Sequence, residues 1–381
     1  MTATKSKSIL MIAGEASGDL HGASVVRELL KSDPDLQIFG IGGERMNAAG
    51  QEQFYTTKEM AIIGFTEVVR HLPFILSVMK RLENEVRERQ PACAILIDYP
   101  GFNLRFAKRL KKMAIPILYY IAPQVWAWGA RRIPKMARLI DHLAVVFAFE
   151  KDIFASQGLP TTFVGHPLLE VLHTDMTREV FLKQQKLPED AKVLGLLPGS
   201  RVKEVEKLLP DMLATAKQLV SEMPGLRAIV AKAADVPQKI YSEIFEKLDT
   251  CNVLLLENAT YLIMAHSDGC LVASGTATLE TGCFGTPLVV VYRTSKLTYQ
   301  IARRLVKLKN IGLVNIVAGE PVAQELIQDD FTPDKAATAL FPLLTDEQQC
   351  EQIKTKLKGV RNKLGKPGAS KRVAELTLNF L

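Results

Sequence analysis

The sharpest chemical feature of the sequence is an aspartate that ends an apolar run. Asp98 follows Ala94, Ile95, Leu96 and Ile97 and precedes Tyr99, Pro100, Gly101, Phe102 and Asn103. A carboxylate at the carboxyl end of a buried strand projects into the crevice where α/β sheets take their ligands. Apolar neighbours raise its pKa toward that of a useful general base. The same position also suits a helix cap, and the sequence alone leaves both readings open.

The second half of the chain offers two anion sites. Val193 to Leu197 run into Pro198-Gly199-Ser200-Arg201, and a long amphipathic pattern follows with Val205, Leu208, Leu209, Met212, Leu213 and Ala216 on one face. A strand, a small-residue turn and a helix N-terminus together present backbone N–H groups and the positive end of the helix dipole. Ser200 can cap that helix, and Arg201 can fork onto a phosphate. The plainer alternative is a cap beside a solvated charge. Ser274-Gly275-Thr276-Ala277-Thr278-Leu279-Glu280 repeats the arrangement after a second apolar run. Glu280 lies one to two turns into the next helix, placed to accept hydrogen bonds from a ribose diol or to act as a buried cap. Two such sites in one domain point to a nucleotide diphosphate.

The first half has its own glycine-bearing turn, residues 14–22. Its glycines stand four apart, so it is neither the dinucleotide fingerprint nor a P-loop. Glu15, Ser17 and Asp19 in that turn suit sugar hydroxyls, with Asp19 as a structural cap the alternative. His166, in Gly165-His166-Pro167, reads as a structural histidine or a ligand at a domain junction. Trp126 and Trp128 precede Arg131 and Arg132 and suit ligand stacking, a membrane face or ordinary packing. Apolar residues crowd positions 62–79, Val68, Val69, Leu72 and Leu76 among them, interrupted by Glu67, Arg70, His71 and Pro73. This stretch is too broken to span a bilayer. It suits a membrane surface, acyl chains or core packing.

These residues need a scaffold, and the pattern supplies one. Strand-like runs at 8–13, 37–41, 93–97, 117–121 and 143–147 alternate with helical patterns. After a polar lapse at 167–190 they resume at 193–197, 227–231, 253–257, 269–272 and 287–292. Uncharged strands separated by helices indicate parallel sheets covered on both faces. The expected fold class is therefore α/β in two halves. At 381 residues the chain suits two or three domains. We expect domains at 1–168 and 169–350 and a helical tail at 351–381.

Hydrophobic residues make up 48% and charged residues 23%, which excludes gross disorder. Lys and Arg number 48 against 41 Asp and Glu, a net charge of +7 that suits nucleic acid, an anionic membrane or a phosphorylated substrate. Five scattered cysteines with no C-x-x-C pair read as reduced thiols in a cytoplasmic protein. No apolar stretch has the form of a signal peptide or a membrane span.

Six pieces occur together and in order: 13–19, 97–103, 123–128, 164–167, 197–201 and 274–280. On these the chain resembles the lipid-A-disaccharide synthases, glycosyltransferases of Gram-negative outer-membrane biogenesis, along essentially its whole length. The resemblance implies a GT-B fold, two Rossmann-like domains facing across a cleft with the C-terminal helix returning to the first. It also implies transfer of a sugar from UDP-2,3-diacylglucosamine to the 6-hydroxyl of 2,3-diacylglucosamine 1-phosphate (lipid X), with inversion, giving the β-1,6 disaccharide and UDP. Carried over by position, Asp98 is the base and Arg201 contacts the diphosphate. Ser200, Ser274, Gly275, Thr276, Glu280 and Asn315 hold the nucleotide, and Glu15, Ser17, Asp19 and Asn103 lie on the acceptor side.

A helix dipole and an arginine can stabilise the departing diphosphate, so no metal and no other cofactor is expected. The resemblance further implies a cytoplasmic protein at the inner-membrane surface, with no nucleic-acid partner and a homodimer left open. The competing classes are a nicotinamide oxidoreductase, opposed by the failed glycine fingerprint, and a non-enzymatic surface binder. The binder would leave the phosphate loops and Asp98 unexplained.

Overall fold

The computed structural model describes residues 7–61, 72–248, 253–295, 299–300 and 309–381. The chain forms two compact bodies, Met1–Glu170 with Leu364–Leu381, and Val171–Lys363. The first is built on β1 (Ser8–Ala13), β2 (Gln37–Gly42), β3 (Glu52–Thr56), β4 (Cys93–Ile97), β5 (Ile117–Tyr120), β6 (His142–Val145) and β7 (Thr161–Phe163). They make one parallel sheet in the order β3-β2-β1-β4-β5-β6-β7. The second body carries β8 (Lys192–Leu197), β9 (Leu226–Lys232), β10 (Val253–Glu257), β11 (Gly269–Ala273), β12 (Leu288–Tyr292) and β13 (Gln324–Ile327). Their order is β10-β9-β8-β11-β12-β13, again all parallel.

Strands β1, β4 and β11 are uncharged because both faces are covered. Every residue of β1, β4 and β11 is buried. The helix Val202–Glu222 buries Val205, Leu208, Leu209, Met212, Leu213 and Ala216, the face read from its periodicity. Strands β3, β7 and β13 escaped the sequence reading. All three lie at sheet edges and are only partly buried, so they lack the apolar run that marks a central strand.

Two further expectations change. The helix after β1 begins at Ala16, not Ala23, so Gly18 and Gly22 lie within it rather than in a turn. A Cβ on Gly22 would come within 2.6 Å of Met46 Sδ and 3.0 Å of Ile97 Cδ1. These glycines let the helix lie close against its neighbours. The return to the first body begins at Leu364, not at residue 351. The helix Glu347–Lys363 buries Leu357 and Val360 within the second body, Arg361 donates to the Cys283 carbonyl (2.7 Å), and Lys363 to the Ala318 carbonyl (2.5 Å). Only the helix Ala369–Leu378 joins the first body, where it packs on Ala16–Ser32. Ser370 there bonds Glu170 through both its N–H (2.9 Å) and its hydroxyl (2.6 Å).

In each sheet the order reverses once, between β1 and β4 and between β8 and β11. Connections leave the carboxyl ends of such a pair toward opposite faces, and a crevice opens where they part. Asp98, Glu15, Ser200 and Ser274 all follow strands of these two pairs.

Candidate functional site

In the first body Ala13 of β1 pairs with Ile97 of β4, so Gly14 and Asp98 emerge side by side. Asp98 and Tyr99 both adopt left-handed backbone, with φ of +41° and +47°. Two such residues in succession cost about 1–3 kcal/mol each, and the surroundings hold them there. Asn103 Nδ2 donates to the carbonyls of Ile97 (3.1 Å) and Asp98 (2.8 Å), and the Tyr119 hydroxyl donates to the Asp98 carbonyl (2.5 Å). The Tyr99 ring then lies over Gly14, where a Cβ would be 2.2 Å from Cδ1. Burial, and next the Glu15 carboxylate, raise the Asp98 pKa from 3.8 to about 6, while the Tyr99 N–H pulls the other way. The helix Pro100–Lys112 has Tyr99, not Asp98, at its N-cap, so the capping alternative falls away. Glu15 and Ser17 are exposed beside this carboxylate at the start of the helix Ala16–Ser32.

In the second body the turns after β8 and β11 face one cavity of about 320 Å³, lined by Gly199, Ser200, Arg201, Ser274, Thr276 and Glu280 with their neighbours. Gly275 has open space where a side chain would stand, so a ligand can approach the N-terminus of the helix Thr276–Phe284. Glu280 accepts from the Tyr261 hydroxyl (3.2 Å), and burial raises its pKa. Ser200 is not the cap of Val202–Glu222. Glu204 Oε2 instead accepts from the N–H groups of Ser200 (3.1 Å) and Arg201 (3.3 Å), and Oε1 accepts from Arg201 Nη1 (2.8 Å). A carboxylate of the chain's own thus occupies the donors expected for a phosphate. An anion arriving at these N–H groups would compete with Glu204 for them.

Known proteins share this architecture and its sequence. The family model described as lipid-A-disaccharide synthetase matches residues 9–379. The lipid-A-disaccharide synthase of Syntrophus aciditrophicus is 42% identical over 376 residues, covering 99% of this chain and 98% of its own. That of Geobacter sulfurreducens is 40% identical over 381 residues, covering 100% and 99%. The chain belongs to the lipid-A-disaccharide synthetase family. It is a glycosyltransferase of lipid A biosynthesis.

Among solved structures, UDP-GlcNAc 2-epimerase from Neisseria meningitidis bound to UDP-GlcNAc superposes with a TM-score of 0.65 at 14% identity, over 98% of this chain and 100% of that one. The calicheamicin glycosyltransferase CalG4 gives 0.63 at 15%, over 99% of each. The fold is of the GT-B type, two parallel-sheet α/β bodies.

Within this lipid-A-disaccharide synthetase chain, several residues nominated from sequence serve the scaffold. Both Asp19 oxygens are taken by backbone N–H groups: Oδ1 by Gly43 (2.8 Å) and Met46 (2.9 Å), Oδ2 by Arg45 (3.2 Å). It caps the helix Glu44–Ala48 and is withdrawn as a sugar ligand. Asn315 is fully buried, with Nδ2 on the Ala323 carbonyl (2.7 Å) and Glu325 (2.8 Å) and Oδ1 on the N–H groups of Val322 and Ala323 (2.8 Å each). It closes a loop instead of facing a nucleotide. Asn103 is likewise buried and acts on the backbone of Asp98 rather than on a ligand.

His166 accepts from the Leu168 N–H through Nδ1 (3.1 Å), and burial lowers its pKa to about 3, so it is a neutral structural imidazole. Trp126 donates to Glu150 (2.9 Å) and meets the Phe149 ring edge-on, so its role is packing. Glu150 itself went unnoticed in the sequence. It is 1% exposed, and burial first, with the Asp98 charge a lesser cause, raises its pKa to about 7.

The apolar stretch divides. Val68 and Val69 lie outside the described residues. Ile75, Val78 and Met79 are core, whereas Leu72 and Leu76 stand 45% and 47% exposed, one turn apart on the helix Leu72–Arg89. Among the described residues no helix is long and apolar enough to cross a membrane. Burial pushes the thiols of Cys93, Cys270 and Cys283 up to about 12.

Proposed function

We propose that the chain transfers a diacylglucosaminyl unit from UDP to the 6-hydroxyl of 2,3-diacylglucosamine 1-phosphate, with inversion. The observation that carries this reading is the ionisation of Asp98. It is a largely buried carboxylate at a sheet switch point with its pKa raised to about 6, in a chain of the lipid-A-disaccharide synthetase family. At neutral pH such a group is ionised, yet basic enough to take the proton of an attacking hydroxyl.

The nucleotide belongs to the second body, whose cavity lies between the turns that follow β8 and β11. Ser200, Ser274, Gly275 and Thr276 offer donors and small-residue access to the diphosphate, and Glu280 accepts from the ribose. Arg201 stabilises the charge that grows on the leaving UDP. Glu15 and Ser17 border the acceptor. The acceptor oxygen attacks the anomeric carbon as its proton passes to Asp98, and the bond to the UDP oxygen breaks on the opposite face. Leu72 and Leu76, exposed and followed by basic residues, support contact of this body with an anionic membrane surface.

The deciding experiment is incubation with UDP-2,3-diacylglucosamine and lipid X. UDP and a β-linked disaccharide in equal amounts support the proposal. UDP released without disaccharide, or an α linkage, would sink it.

A further inference from the structure

The net charge of the chain is concentrated in one place. Residues 99–140 contain nine Lys and Arg and not one Asp or Glu. Since the whole chain carries +7, everything outside this segment sums to −2. Two stretches of the segment, the helix Pro100–Lys112 and the region around the helix Ile133–Ala137, together line a groove of about 330 Å³. Arg105, Lys108, Arg132 and Lys135 line it together with Leu104 and Met136, with no acidic side chain among the described lining residues.

Acidic groups on neighbouring elements have cationic partners of their own. Arg109 is paired with Glu83 (2.8 Å) and Lys111 with Asp141 (2.6 Å), so acids on neighbouring elements are engaged elsewhere. Arg105, Lys108, Arg132 and Lys135 are all exposed. Four cations around one concavity repel one another, and an anion between them relieves that repulsion.

The place of the groove indicates which anion. Its near end is Pro100 and Gly101, two and three residues beyond Asp98, at the positive end of the helix Pro100–Lys112. Gly101, Arg105 and Lys108 fall on one helix face, and at 1.5 Å per residue the two cations lie about 6 Å and about 10 Å further along. The space equals roughly ten water molecules, more than a bare phosphate needs.

We propose that this groove seats the phosphate monoester of the acylated sugar acceptor, with the sugar ring between it and Asp98. The inference rests on the reading of Asp98 as the base. The groove thereby selects acceptors that bear an anomeric phosphate, and it sets the direction in which the ring presents its hydroxyl to the carboxylate.

The test is the variant Arg105→Gln/Lys108→Gln/Lys135→Gln, whose sites are exposed and whose melting temperature should match the parent. The Michaelis constant for lipid X should rise roughly tenfold to a hundredfold, toward that of dephosphorylated 2,3-diacylglucosamine. The constant for the UDP-sugar should stay unchanged. Calorimetric binding of soluble glucosamine 1-phosphate should be lost, and in the parent protein it should weaken as salt is raised. A variant that still prefers phosphorylated acceptor but no longer sediments with phosphatidylglycerol vesicles would show the groove meets bilayer headgroups and overturn the proposal. Undiminished glucosamine 1-phosphate binding would overturn it as well. A parent protein that binds glucosamine 1-phosphate through these residues yet transfers no sugar would retain the groove's phosphate specificity and defeat the glycosyl-transfer reading instead.

Discussion

Replacing Asp98 with asparagine separates catalysis from stability. Burial and Glu15 raise its pKa from 3.8 to about 6. One pKa unit corresponds to about 1.4 kcal/mol, so keeping this carboxylate ionised at pH 7 costs the fold about 3 kcal/mol relative to the unfolded chain. The folded state binds the proton more tightly than the unfolded state does. This contribution therefore leaves the protein most stable below about pH 4, where both states are protonated. It removes stability as pH rises through about 6 and is constant above that. Asparagine cannot ionise, so Asp98→Asn should be more stable than the parent by about 3 kcal/mol at pH 7, with the gap closing toward pH 4. Turnover should meanwhile fall by roughly 10² to 10⁴, with UDP affinity unchanged. Parent turnover should decline as pH drops below about 6, and Glu15→Gln should move that decline to lower pH. Urea unfolding of both proteins across this range, beside transfer assays, checks all of it. A stability gap that is the same at every pH, or wild-type turnover in Asp98→Asn, would refute the reasoning.

Three further outcomes are expected. Arg201→Ala should weaken UDP binding by roughly 1.5–3 kcal/mol in titration calorimetry, and Arg201→Lys should recover only part, because a point charge cannot fork onto two oxygens. In a Trp128→Phe background, Trp126 fluorescence should titrate with a midpoint near pH 7, following the Glu150 carboxyl it bonds, and Glu150→Gln should abolish that titration. Leu72→Ser/Leu76→Ser should weaken sedimentation with anionic vesicles while leaving the melting temperature within a few degrees, since both side chains are half exposed. A large fall in melting temperature would show them to be core.

The site was legible in the sequence where chemistry sits at the end of an apolar run. Asp98, Arg201, Ser274 and Glu280 follow β4, β8 and β11, whose uncharged runs announce both the strand and the place where it ends. What stayed hidden depends on partners distant in sequence. Asp19 caps a helix more than twenty residues away, Asn315 closes a loop, and Glu150 is defined by Trp126. A polar side chain that serves someone else's backbone looks the same in sequence as one that awaits a ligand. Glu204 shows the converse: an ordinary helical glutamate by pattern, it accepts from the N–H groups of the turn read from sequence as a phosphate site.

The discontinuity of the first body has a consequence for biosynthesis. Its last helix, Ala369–Leu378, buries Ala369, Val373 and Ala374 against a body otherwise finished at Glu170. Arg372 from that helix bonds the Val164 carbonyl (2.7 Å), and the Leu364 carbonyl receives the His166 N–H (2.9 Å). A ribosome must make the 193 residues of Val171–Lys363 before this piece emerges, about 10–40 s at ordinary elongation rates. Until then the first body lacks the helix that packs on Ala16–Ser32, whereas the second body is continuous in sequence. The first body, begun first, can therefore be completed only after the whole of the second has been made.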